Sequence, residues 1–137
     1  MSKNESIYFH VVFTVYRVKK ALIGEIEAFF LELVEEIARK RGYNIVVVET
    51  MPNHVHLLLT KPPWEDLSGM VKNLKGATAR RIFQRFPGLK LDMRSNHFWT
   101  RGYQYVKHNA SSLSTVIAYI RDQKRKAGLV DQFMARE

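Results

Sequence analysis

Cysteine is missing from all 137 positions. Disulfides and thiolate metal ligands are therefore excluded, and any metal must be held by nitrogen or oxygen, which fits a reducing compartment. No apolar run approaches the roughly 18 residues a membrane span needs. The opening MSKNES has no apolar core of the kind a signal peptide requires, so the expected location is the cytoplasm. Internal repeats and low-complexity tracts are also absent. Acidic residues are scarce: 13 Asp and Glu stand against 22 Lys and Arg, a formal charge of +9. Such a surface attracts polyanions, nucleic acid first among them, although a basic protein whose charges are merely solvated has the same composition. What is present is ordinary for a folded domain. Hydrophobic residues make up 46% and charged residues 26%, and the length predicts one domain over residues 1–137.

The stretch IYFHVVFTVY, residues 7–16, is β-branched and aromatic and predicts a first strand. Period-two alternation puts Phe9, Val11, Phe13 and Val15 on one face and Tyr8, His10, Val12 and Thr14 on the other. From about Glu25 to Arg41, the positions Ile26, Phe29, Phe30, Leu33, Val34 and Ile37 recur at helical spacing, and Gly42 supplies a stop. YNIVVVET (43–50) and HVHLLLT (54–60), joined by MPN, predict a hairpin. A second helix is expected from Leu67 to about Phe86, ahead of Pro87 and Gly88, and GLKLDMRSN (88–96) reads as an irregular loop. HFWTRGYQYVKH (97–108) predicts a fourth strand broken or bulged at Gly102. A last helix spans about Ser112 to Ala127, with Leu113, Val116, Ile117, Ile120 and Ala127 on its apolar stripe. Gly128 is its expected cap, and residues 129–137 read as an arm or frayed end. Strand, helix, strand, strand, helix, strand is the split βαβ order. The fold class is α+β, a ferredoxin-like or RRM-like antiparallel sheet with two helices on one face and the other face left uncovered.

Two histidines interrupt the third strand in MPNHVHLLLT, residues 51–60. Alternation sends His54, His56, Leu58 and Thr60 to one side and Val55, Leu57 and Leu59 to the other. If the leucines pack under the helices, the two imidazoles stand side by side on the uncovered face. That geometry suits a metal ion, but a strand that merely tolerates two histidines has the same pattern. In the last helix Tyr119 and Gln123 are four residues apart and share one edge, flanking the apolar stripe. A half-buried tyrosine and a surface glutamine satisfy that spacing equally well. His10 and His97 have no partner at ligand spacing and read as structural.

MPNHVHLLL, then VKNLKG, then FWTRGY, then VIAYIRDQ resemble, in order and at similar intervals, the single-tyrosine HUH transposases, the TnpA-like family of the smallest bacterial and archaeal insertion sequences. The likeness spans nearly the whole chain. It implies that His54 and His56 are metal ligands, that Tyr119 is the catalytic nucleophile on a C-terminal catalytic helix, and that Gln123 is a third ligand. It further implies Mg²⁺ or Mn²⁺ as cofactor, single-stranded DNA hairpins at element ends as substrate, and cleavage and rejoining through a 5′-phosphotyrosine. After RGY this chain continues with QYVKHNA where the family more often has small residues and a glycine. The neighbouring repeat-associated single-tyrosine transposases usually carry Asn-Pro after the tyrosine. Arg121, Asp122 and Gln123 stand there instead, which favours the insertion-sequence branch.

Imidazole is softer than Mg²⁺ prefers, so Mn²⁺ should bind more tightly in vitro. Excision needs two cleavages and each chain offers one candidate tyrosine, which predicts a homodimer. The segment from Lys107 to Ser112 allows the tyrosine helix to serve its own histidines or the partner's. Lys72, Lys75, Arg80, Arg81, Arg101, Lys107 and Lys124 are the candidate phosphate contacts, and Trp64 and Trp99 are candidate stacking platforms. Two other classes remain: a non-catalytic RRM-like nucleic-acid-binding module, and a histidine-metal hydrolase using water. Neither would form a covalent adduct lost on Tyr119→Phe.

Overall fold

The computed structural model describes the backbone of residues 6–135 and the side chains of residues 6–125. Four strands, β1 (Ile7–Thr14), β2 (Asn44–Met51), β3 (His54–Thr60) and β4 (Gln104–Asn109), form one antiparallel sheet in the order β2-β3-β1-β4. With α1 (Gly24–Arg41) after β1 and α2 (Leu67–Arg85) after β3, this is the expected ferredoxin-like arrangement. Phe9, Val11, Phe13, Val55, Leu57 and Leu59 join Phe30, Leu33 and Val34 of α1 and Met70, Leu74 and Ile82 of α2 in the main core. Helix α1 ends where Gly42 takes a left-handed φ of 80° and donates its N–H to the Ala38 carbonyl. Helix α2 starts at Asp66, whose side chain accepts from the Gly69 N–H at 2.7 Å.

The other sheet face, expected to be uncovered, carries α4 (Leu113–Ala135). Val116 and Ile120 pack on Val47 of β2 and Leu58 of β3, with Tyr8, Val46, Leu113 and Ile117 around them. Lys124 then pins the helix, donating from Nζ to the Thr50 carbonyl and reaching Glu27 Oε2 at 3.2 Å. Thr50 Oγ1 also donates to Glu27, so α1, β2 and α4 meet in one polar knot.

Three local expectations change. The fourth strand is confined to Gln104–Asn109, with only a bridge from Val15 to Trp99 upstream. Phe98 and Trp99 are consecutive and both enter the same main core, which a flat strand cannot arrange because it points neighbours to opposite sides. Phe98 instead packs on Phe83, and Trp99 on Phe13 and Phe30. The supposed loop contains a short helix, α3 (Leu89–Met93), because Leu89 and Met93, four apart, both reach the core. Helix α4 runs through Gly128 rather than stopping there, so the segment after it continues the helix to Ala135. The Ala127 side chain lies outside the described residues. Strand β2 also bulges between Ile45 and Val47, which lets Ile45 and Val48 both face the main core.

Candidate active site

Residues Pro52 and Asn53 form the two-residue turn that aims β3. Its carbonyls are tied down: Leu22 N–H donates to Pro52 O at 2.9 Å and Val15 N–H to Asn53 O at 2.8 Å. From this anchored turn, alternation projects His54 and His56 onto the α4 side of the sheet, level with Thr14 and Val12 of β1. Their ring centroids are 5.1 Å apart. His54 Nδ1 lies 2.7 Å from Asn53 Oδ1, and that oxygen can only accept. The ring proton is therefore on Nδ1, leaving Nε2 with its lone pair. His56 Nδ1 lies 2.9 Å from His10 Nε2 of β1. Neither His54 nor His56 uses Nε2 in a hydrogen bond among the described residues.

Burial lowers all three imidazoles. His56, only 8% exposed, is pushed down to about 4, first by desolvation and then by His10 and His54 beside it. His54 falls by desolvation, and His10 by desolvation and the nearby His108. Near neutral pH the rings are uncharged, which is the form that binds metal. Glu49 is the register partner of His56. Even so, no third His, Asp or Glu converges on a metal position with the pair among the described residues. Among the described residues, a further ligand would therefore be an amide or hydroxyl.

Helix α4 carries both kinds of group. Tyr119 is 55% exposed, and its ring meets His10 edge-on at 6.3 Å between centroids. Gln123, half-buried one turn further on, has no hydrogen-bond partner among the described residues. Buried Val116 and Ile120 on the apolar stripe hold this edge in place. The fold thus brings the predicted nucleophile beside the histidine pair, with His10 between Tyr119 and His56, and carries Gln123 one turn further along the same helix.

The basic candidates divide into two groups. Lys72, Arg80, Arg101 and Lys107 are exposed. The other three are engaged within the chain. Lys75, its ammonium destabilised by burial, donates to the carbonyls of Thr100 and Gly102 at 2.7 and 2.5 Å. Arg81 bridges to Glu36 of α1 at 3.2 Å, and Lys124 belongs to the Thr50 and Glu27 knot. Lys75, Arg101, Asn96, Tyr16 and His97 line a cavity of 430 Å³, in which the Tyr16 and His97 rings lie 5.6 Å apart. Trp99 is a core residue, its Nε1 donating to Thr78 Oγ1 at 3.0 Å, whereas Trp64 is 79% exposed.

Sequence reading missed Asn53 and the connection of His10. The Asn53 signal lay in plain view, a carboxamide immediately before the first histidine. For His10 the signal was its strand face, shared with the His54 and His56 side once the two strands pair. Ligand spacing along one segment was the wrong test for a contact made across strands.

A family profile described as IS200-like transposase matches residues 3–123. The ISDra2 transposase TnpA of Deinococcus radiodurans is 31% identical over 118 residues, covering 86% of this chain and 84% of the relative. The transposase for insertion sequence element IS200 of Salmonella typhimurium is 27% identical over 124 residues, covering 90% and 81%. A crystal structure from Deinococcus radiodurans assigned as a transposase superimposes with a TM-score of 0.71 at 29% identity, covering 90% of this chain and 98% of that one. A REP-associated tyrosine transposase bound to a REP hairpin shares the fold, with a TM-score of 0.54 at 19% identity, over 93% of this chain and 75% of that one.

Proposed function

This chain belongs to the IS200-like transposase family, and from that premise we propose that it cuts and rejoins single-stranded DNA at hairpin-bearing element ends, with Tyr119 as the nucleophile. The observation that carries the reading is the exposed phenol of Tyr119 standing one imidazole away from His56. The phenol gives up its proton to solvent, its oxygen attacks the scissile phosphorus, and the bond to the 3′ oxygen breaks as that oxygen takes up a proton from solvent. The products are a 5′-phosphotyrosine and a free 3′-hydroxyl. A second 3′-hydroxyl then displaces the tyrosine and restores a phosphodiester without ATP, because the ester conserves the energy of the broken bond.

His54, His56 and Gln123 are the residues that would hold Mg²⁺ or Mn²⁺. The donor chemistry fits: two neutral rings whose Nε2 atoms are unengaged and a carboxamide without a hydrogen-bond partner among the described residues. When bound, the cation supplies charge stabilisation for the phosphoryl oxygens and the departing 3′ oxygen. Lys72, Arg80, Arg101 and Lys107 bind phosphates, and Trp64 stacks on unpaired bases. Lys75, Arg81 and Lys124 act at one remove, by shaping the elements that carry the site. Two cleavages per excision call for a homodimer, acting in the cytoplasm where its DNA is.

The test mixes the protein with Mn²⁺ and 3′-labelled single strands drawn from the DNA flanking its gene, because a 5′-phosphotyrosine keeps the 3′ side of the cut strand. A denaturation-resistant protein–DNA adduct is expected for the wild type and none for Tyr119→Phe, with His56→Ala reducing it by about 10²-fold or more. Binding without an adduct would instead support a non-catalytic module. Cleavage surviving Tyr119→Phe would support a water-using hydrolase.

A further inference from the structure

We propose that His10 is a positioning residue of this site, fixing the tautomer of His56 and backing the ring of Tyr119. The proposal rests on the metal-dependent reading above. His10 is opposite Leu58 in the β1–β3 register, while His56 is opposite Val12, so the two rings meet on the diagonal between strands. The 2.9 Å contact between His10 Nε2 and His56 Nδ1 needs one donor and one acceptor. Were His56 Nδ1 the acceptor, the neutral ring would carry its proton on Nε2 and have no lone pair left for a cation. With His56 Nδ1–H donating to His10, Nε2 is the free donor atom, and His10 in turn holds its own proton on Nδ1.

His54 is already set in this sense by Asn53 Oδ1. The two histidines therefore have matched supports, a carboxamide for one and an imidazole for the other, each on Nδ1. His10 is buried on the α4 face of β1, opposite to its neighbours Phe9 and Val11, at a position where an aliphatic side chain would serve packing alone. Its ring is 5.1 Å from His56 and 6.3 Å from Tyr119, so it touches both halves of the site.

The experiment reads tautomers and metal affinity without DNA. Long-range ¹H–¹⁵N spectra of the metal-free protein should show His56 protonated on Nδ1 in the wild type. In His10→Phe that preference should be lost, and in His10→Gln, whose Oε1 can accept at similar reach, it should return. Mn²⁺ titrations followed by electron paramagnetic resonance should show affinity about 10–100-fold weaker in His10→Phe and largely restored in His10→Gln. Thermal unfolding of both variants establishes that they are folded. A His56 ring protonated on Nε2 in the wild type overturns the proposal, as does undiminished Mn²⁺ affinity in folded His10→Phe. A wild type that binds no Mn²⁺ overturns the metal reading instead, while the tautomer still answers for His10.

Discussion

His56 is the residue whose environment has the largest consequence for the folded chain. Its pKa is about 4 in the fold against 6.5 for the free side chain, so the unfolded chain binds more protons between those values. Stability is therefore complete above about pH 6.5 and is lost as pH falls toward 4, with the lowered His54 and His10 acting in the same direction. The loss is of order 2–3 kcal/mol, large against a typical total of about 5–15. Urea unfolding of metal-free protein should give a clearly lower midpoint at about pH 5 than at about pH 7.5, and His56→Asn should remove much of the difference. The identity of these histidines was legible from HxH alternation. Their neighbours were not, because nothing local to MPNHVHLLLT shows that β1 brings a third imidazole alongside.

Among the elements, α4 is anchored by few side chains. Ile120 is fully buried and fixes the turn that presents Tyr119, so Ile120→Ala should cost about 2–4 kcal/mol and raise hydrogen exchange along residues 113–125. Lys124→Met should loosen only the end near Thr50 and Glu27 and cost less, since that pair is half-exposed. Helix α2 separates the two kinds of basic residue. Lys72→Ala and Arg80→Ala should each weaken single-stranded DNA binding and make the logarithmic salt slope shallower by about 0.7. Arg81→Met should leave the slope nearly unchanged, because its guanidinium already faces Glu36. The periodicity of α1 and α4 was visible in the sequence, and the stripe positions among the described residues are the ones that pack. The segment 97–103 was misread as strand because aromatic composition favours strands, while the burial of adjacent Phe98 and Trp99 is a packing outcome that composition does not encode.

At the scale of the whole molecule, β4 is an edge strand paired only with β1. Ile7, Tyr105 and Val106 expose about half of their surfaces along this margin. An apolar unpaired edge is where a second copy can add its own strands, so the proposed homodimer is expected to use it. Light scattering should report a dimer for the wild type and a shift toward monomer for the Tyr105→Glu, Val106→Glu pair; an unchanged dimer would move the interface elsewhere. Mixing Tyr119→Phe with His56→Ala protein tests whether the tyrosine serves its own chain or its partner's, since only a shared site regains adduct formation. No helix among the described residues is long and apolar enough to cross a membrane. The order of elements, the side of the sheet each strand residue faces and the edge shared by Tyr119 and Gln123 all follow from periods of 2 and 3.6, which are properties of the backbone and can be read along the chain. Only the folded chain decided which segments meet: α4 lying over β2 and β3, Lys75 and Arg81 spent on internal partners, and His10 joined to His56. Those contacts unite residues tens of positions apart, and register and packing, rather than any local pattern, select them.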